Sequence, residues 1–311
     1  SAGGHFDFFL NLYGDHPPDG DDLASQWDVK ITDERNFAGA YGQFRWDPKE
    51  TWHVELGLRL NYTDESRDAS AVEFASGTTE GGTDSMNLWR GSGYVGFTWT
   101  AWRQGTEALY LFADYRNTYK PAVVDFGLEA EDEILNPETA ESVEVGVKSR
   151  LLDGKLAVDF SAFQMNFHNL VVSQSVGGVP TLENAGSERF RGLEVAFGWQ
   201  VQTALTWRAG YSLHDARFTD YLTEFGGVPT QLEGNQLEMS ARNMAFMGFV
   251  YAPERAWRGS VQANYVGTRF LNKRNTAPTP AFTTLDAGVG YRYKDLEFRL
   301  DGYNLTDQRE P

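Results

Sequence analysis

From Thr51 to Tyr62 the sequence alternates without a break. Trp52, Val54, Leu56, Leu58, Leu60 and Tyr62 are apolar, while Thr51, His53, Glu55, Gly57, Arg59 and Asn61 are polar or glycine. Successive side chains of a β-strand point to opposite faces, so this segment is one strand with a greasy side and a wet side. Its length is the constraint, because strands of soluble domains usually run about five or six residues. The rhythm returns in Leu193, Val195, Phe197, Trp199 and Val201, in Leu205, Trp207, Ala209, Tyr211 and Leu213, and in Leu285, Ala287, Val289, Tyr291 and Tyr293. An amphipathic helix has a period near 3.6 and does not read this way. One segment changes phase: Leu156, Val158 and Phe160 are even, but Phe163, Met165 and Phe167 are odd. That slip predicts a β-bulge near Ala162.

Two architectures share such alternation, and they differ in where the apolar face points. A soluble sandwich turns it inward; a transmembrane barrel turns it toward lipid. Aromatic residues at strand ends (Trp52, Tyr62, Trp199, Trp207, Tyr293) suit the two interfaces of a bilayer. The opposite face mixes charges of both signs, as at Glu144 and Lys148 or Glu297, Arg299 and Asp301, and suits a hydrated interior. The connections agree. Short turns at residues 47–50, 103–106, 152–154, 200–202, 253–255 and 293–295 take turns with long polar loops at 64–90, 119–138, 169–188, 218–239 and 271–281. Short turns at one end and long loops at the other describe an outer-membrane barrel, with the long loops extracellular. The expected fold is therefore an all-β, antiparallel, up-and-down transmembrane β-barrel.

Counting strands gives thirteen, beginning near His5, Arg35, Thr51, Gly91, Glu107, Thr139, Lys155, Arg189, Thr203, Ser240, Ala256, Phe282 and Asp295. Bacterial single-chain barrels normally have an even number. The odd count leads us to expect at least one further strand, with this chain a portion of a longer protein.

Composition closes off other classes. The 311 residues include 44 Asp plus Glu against 27 Lys plus Arg, a net charge of −17 and no Cys. No apolar run reaches the roughly 18 residues of a membrane helix. An acidic chain is poorly suited to nucleic acid, whose phosphates are bound mainly by Lys and Arg. Thiolate metal sites and disulfides are excluded outright. His5, His16, His53, His168 and His214 show no zinc-binding spacing, and no nucleophile elbow, Walker loop or dinucleotide motif occurs. Asp19, Asp21 and Asp22, and Glu129, Glu131, Asp132 and Glu133, are read as solvated acidic loops rather than Ca²⁺ ligands. His214 and Asp215 are neighbours whose side chains alternate faces, so they form no catalytic dyad. No catalytic residue, metal site or cofactor is expected, and the chain is read as a non-enzyme.

Specific segments then resemble a known family. Leu135-Asn136-Pro137-Glu138-Thr139, continuing through Glu144-Val145-Gly146-Val147-Lys148 to Leu152-Asp153-Gly154-Lys155-Leu156, is similar to the late barrel of TonB-dependent outer-membrane receptors. So are Asn184-Ala185-Gly186, Arg191-Gly192-Leu193-Glu194, and the stretch from Phe282-Thr283-Thr284-Leu285-Asp286 to Tyr303-Asn304-Leu305-Thr306-Asp307. The resemblance runs from about Phe37 to the end. It implies a barrel of twenty-two strands around an N-terminal plug. Residues 1–311 are then a C-terminal portion of the barrel, strands nine to twenty-one, with the plug and the last strand outside this chain.

The resemblance also implies location and role. The protein is expected in a bacterial outer membrane, taking up a scarce, large nutrient, above all a ferric siderophore, by TonB-energised active transport. Its expected partners are outer-membrane lipid and lipopolysaccharide, a metal chelate or similar ligand, and the TonB complex through the plug. Arg116, Tyr119 and Lys120, at the top of an upward strand, are the candidate ligand contacts, with bracing of the rim as their alternative role. The competing readings are a passive porin and a soluble carbohydrate-binding β-domain.

Overall fold

The computed structural model describes residues 4–8, 27–73, 77–121, 134–176 and 179–309. The described residues form seventeen strands: β1 (Gly4–Phe8), β2 (Trp27–Lys49), β3 (Trp52–Glu73), β4 (Thr79–Gln104), β5 (Glu107–Lys120), β6 (Glu138–Leu151), β7 (Leu156–Val176), β8 (Val179–Gln202), β9 (Leu205–Asp220), β10 (Leu222–Phe225), β11 (Val228–Gln231), β12 (Asn243–Tyr251), β13 (Ala256–Val266), β14 (Arg269–Phe270), β15 (Pro278–Thr279), β16 (Phe282–Tyr293) and β17 (Leu296–Gly302). Thirteen of them form one antiparallel sheet in which each strand pairs with the next in sequence, β1 to β9, then β12, β13, β16 and β17. These are the thirteen expected strands, and the six expected short turns join them at one end. Among the described residues β1 and β17 are the two edges, and the sheet does not close on itself.

Cross-strand partners share a face, so the register separates the two sides of the wall. Leu58 pairs with Gly42 and Gly93, Leu56 with Phe44 and Val95, and Trp52 with Trp99. These residues form the outer face and stay exposed, Leu58 by 74%. Aromatic pairs fringe the band: Trp207 stacks on Phe249 and meets Phe197 near the short-turn end, while Tyr62 packs on Trp89 at the other. From Trp52 to Tyr62 the strand advances roughly 33 Å, or about 24 Å across the membrane at a 45° tilt, the height of a lipid-facing band.

The inner face is polar but not evenly so. Where aromatic rings occur there, several lie over a glycine directly opposite on the neighbouring strand: Tyr94 over Gly57, Phe112 over Gly146, Phe163 over Gly192 and Phe246 over Gly210. A Cβ at Gly57 would sit 2.2 Å from the Tyr94 ring, and one at Gly210 would sit 2.3 Å from Phe246. The missing side chain lets the ring lie along the wall. This corrects the expected bulge near Ala162. Ala162 pairs in unbroken register with Val145 and Leu193, and β7 continues straight. The phase slip arises because Phe163, Met165 and Phe167 face the interior, Phe163 against Gly192 and edge-on to His214 at 5.5 Å.

The second departure concerns the long connections. Residues 64–90 were expected as a loop, yet the β3–β4 ladder runs from Trp52↔Trp99 up to Val72↔Thr79. Likewise β7 and β8 pair as far as Val176↔Val179. Beyond the lipid both faces of a strand meet polar surroundings, so alternation vanishes while the backbone ladder persists. Polar side chains turned inward at the top of the membrane span and into this extension are covered: Asn61, Thr63, Glu65 and Arg67 are all buried. Burial is offset by pairing, as where Arg35 grips Glu65 through two hydrogen bonds of 2.6 and 2.8 Å.

Candidate functional site

The elaborate end of the wall is held together by the segments that sequence analysis singled out. The Asn184 side chain accepts a hydrogen bond from the Asn136 amide at 2.7 Å and donates to the carbonyls of Asn136 and Asn169, both at 2.9 Å. Glu138, next in the same run, accepts from the Val171 amide at 3.0 Å and pairs with Lys120 at 2.8 Å. The start of β6 is thus clasped to the upper ends of β7 and β8. Asparagine serves here because one amide group both accepts from and donates to backbone.

Against this clasp sits a folded cap built from two loops. Residues 218–239, expected as a long loop, contain the β10–β11 hairpin and a small core of Phe218, Tyr221 and Leu232, each at most 3% exposed, with Phe225 and Leu237 packed on it. The chain returns along β9, Gly234 donating to the Phe218 carbonyl at 2.9 Å and Leu237 to that of Ala216 at 3.1 Å. The second loop, 267–281, is tied in by Asn275, which accepts from the Gln236 amide at 2.7 Å and donates to its carbonyl at 2.8 Å. Asn235 donates to the Lys273 carbonyl at 3.0 Å. Lys273 and Arg274 lie over the rings of Tyr221 and Phe225 at 5.5 and 5.0 Å, placing cations on aromatic faces. Gly186 permits the approach of cap to wall. It has φ +43°, and a Cβ there would lie 1.4 Å from the Asp220 carbonyl oxygen.

The three candidate contacts all lie on β5. Arg116 and Lys120 share the inner face, both 62% exposed and each steadied by a carboxylate, Asp114 at 2.8 Å and Glu138 at 2.8 Å. Tyr119 lies between them along the strand, and its hydroxyl is 3.4 Å from Thr63 Oγ1 on the inner side of β3. His214 faces Glu194 at 3.0 Å while Asp215 faces Arg191 and Arg217, so the two neighbours go separate ways as expected. The acidic runs at Asp19 to Asp22 and Glu129 to Glu133 lie outside the described residues. Among the described residues no group of three or more His, Asp or Glu is placed to hold a metal ion.

Sequence reasoning missed Glu188. It lies on the inner face of β8, paired with Phe167 and Phe218, and is 6% exposed beneath the cap. Burial pushes its carboxyl up to about 7; Lys273 opposes the rise, and Glu238 and Glu138 add to it. No local pattern marks this residue, because the loop covering it is some thirty residues or more downstream. A pH dependence follows. Between 4.5, the ordinary value, and about 7 the folded protein holds this proton more than the unfolded chain does, so stability falls as pH rises and levels off above 7. The expected loss is about 3 kcal/mol. Hydrogen exchange at the amides of Phe218, Leu232 and Gly234 should speed up across that window, and Glu188→Gln should remove the slope.

An exposed apolar band with aromatic fringes, an interior of mixed charge and a folded cap at one end define the wall of an outer-membrane β-barrel. Residues 1–305 match the family described as TonB dependent receptor-like, beta-barrel, and the chain belongs to that family of bacterial outer-membrane proteins. It is 25% identical over 266 residues to the metal-pseudopaline receptor CntO of Pseudomonas aeruginosa, covering 84% of this chain and 35% of that protein. It is 25% identical over 196 residues to the catecholate siderophore receptor Fiu of Escherichia coli K12, covering 61% of this chain and 25% of that one. The crystal structure of the ferric yersiniabactin uptake receptor FyuA from Yersinia pestis superposes with a TM-score of 0.74 at 17% identity, over 91% of this chain and 42% of that chain. The chain thus spans about a third of the length of CntO.

Proposed function

We propose that this chain is a C-terminal portion of the barrel of an outer-membrane receptor that takes up a ferric siderophore or a similar metal chelate, driven through a plug by the TonB complex. The observation that carries the reading is the cap. A passive pore gains nothing from a folded, cross-tied lid with its own apolar core over charged groups of the inner wall. A receptor needs such a surface, because a large, polar chelate is recognised by many contacts before it is moved. Cations laid on aromatic rings at Lys273 and Arg274 suit flat, anionic chelating groups. CntO and Fiu, named for metal and siderophore reception, support the assignment. The exposed apolar band counts against a soluble carbohydrate-binding domain, which would bury that face.

Within this reading, Arg116 and Lys120 meet ligand from the inner face and Tyr119 braces β5 against β3. The barrel supplies binding and a conduit, with no bond-making chemistry. The test is equilibrium binding of a ferric tris-catecholate and a ferric polycarboxylate to the full-length receptor, followed by protein fluorescence quenching. Arg116→Ala combined with Lys120→Ala should weaken binding of the preferred chelate about tenfold or more, in line with about 1–2 kcal/mol for two ionic contacts. No saturable binding of either class, together with unimpaired iron-limited growth of a strain lacking the receptor, would reject the reading.

A further inference from the structure

On the outer face of β7, β8 and β9 the last apolar row is Ala162, Leu193 and Leu213. The next row toward the cap is Gln164, Arg191 and Asp215, and the one after it is Asn166, Arg189 and Arg217. Each row lies roughly 6.6 Å further along the strand. The arginines therefore begin where the hydrocarbon ends, at the depth of lipid headgroups.

Their arrangement is built rather than scattered. Asp215, its side chain only 11% exposed, accepts from Arg191 Nε at 3.0 Å and from Arg217 Nε at 2.7 Å, aligning the two guanidinium groups. Arg217 also donates through Nη1 to the Gly234 carbonyl at 2.6 Å. Arg189 stands directly opposite Arg217 across the β8–β9 ladder, and its buried Nε has no acceptor among the described residues. Like charges directly opposed on a sheet repel, and Asp215, the carboxylate that both Arg191 and Arg217 contact, offsets one of the three positive charges, while Glu141 ends the same row beyond Asn166. On β2, β3 and β4 the outer face at this height is different: the rows above Tyr62 carry Asp64, Asn36 and Asn87, then Ser66, Glu34 and Ser85. In a chain of net charge −17 this concentration of arginine is local and faces the lipid side.

We propose that Arg189, Arg191 and Arg217, organised by Asp215, bind a phosphate of the outer-leaflet lipid, the lipid A portion of lipopolysaccharide. Guanidinium forks match phosphate oxygens in pairs, which a flexible ammonium does not. The inference rests on the outer-membrane placement in the reading above and not on the identity of the transported chelate. Seated there, a lipid would brace the β8–β9 wall that carries Glu188 and the cap.

The experiment uses the full-length receptor in detergent, with native mass spectrometry titrated by bis-phosphorylated lipid A, dephosphorylated lipid A and inorganic phosphate. Arg189→Gln combined with Arg191→Gln is the variant, Arg217 being left to hold Gly234. The unmodified receptor should bind bis-phosphorylated lipid A at least tenfold more tightly than the dephosphorylated form. The variant should lose that preference, and inorganic phosphate at equal concentration should not displace the lipid. Equal lipid A binding by both proteins would overturn the proposal, as would equal binding of both lipids by the unmodified receptor. Displacement by inorganic phosphate would mark a soluble-anion site instead and overturn it too. Arg191→Gln alone, with an unchanged unfolding temperature in lipid-free detergent, separates a lost contact from a lost fold. Chelate binding on the same preparations is an independent readout, so failure of the transport reading leaves this result standing.

Discussion

Leu58→Arg should destabilise the barrel by about 2–4 kcal/mol, the cost of a guanidinium at the midplane of the lipid face. Leu58 is the natural site because it lies between the aromatic fringes at Trp52 and Tyr62 and is the most exposed of the six apolar residues of its row. The matched control is Gln262→Arg. Gln262 has similar depth on β13 but shares the inner face with Asp286 and Asn264's row, where water and carboxylate are at hand. That change should cost under about 1 kcal/mol. Reversible urea unfolding of the full-length receptor in phospholipid vesicles measures both. Equal costs at the two positions would mean the outer face does not meet hydrocarbon, and the membrane architecture would fall.

Gly186→Val should cost about 3–4 kcal/mol, concentrated in the cap. Two effects add: a β-branched side chain at φ +43° is strained, and its Cβ would drive into the Asp220 carbonyl. The wall below has its own ladder and should survive. Hydrogen exchange should therefore accelerate in β10, β11 and residues 232–237 and stay unchanged in β12 and β13. Chelate binding should fall with the cap if the cap carries recognition. Gly186→Ala should give the same pattern at a smaller size, since it keeps the close approach but drops the branch. An unchanged cap in both variants would show that it does not seat on β8 through this glycine.

Legibility in the sequence followed the solvent. Where a strand crosses lipid, one face must be apolar and the other wet, so Trp52 to Tyr62 and Leu193 to Val201 announce themselves. Above the membrane the same β3 continues through Thr63, Glu65 and Arg67 with Asp64, Ser66 and Asp68 between them, polar on both faces, and nothing in the residue types of this strand separates that ladder from a loop. The phase slip in β7 misled for a related reason. A bulge and an inward-facing aromatic give the same string, and only the glycine at position 192 on the next strand tells them apart. The Asn136–Glu138 and Asn184–Gly186 segments stood out by resemblance, yet their contact with one another depends on how β6, β7 and β8 sit side by side.

The chain's alternation and turn lengths were enough to set the number and order of the strands in the main sheet and, outside β7, the direction of their faces, because those follow from local covalent geometry and from what water and hydrocarbon accept. The burial of Glu188, the cap tied across two loops, and the arginines gathered at one depth were decided by tertiary structure alone. Each depends on residues brought together from distant parts of the sequence, and a side chain's charge or exposure is a property of that neighbourhood rather than of its place in the string.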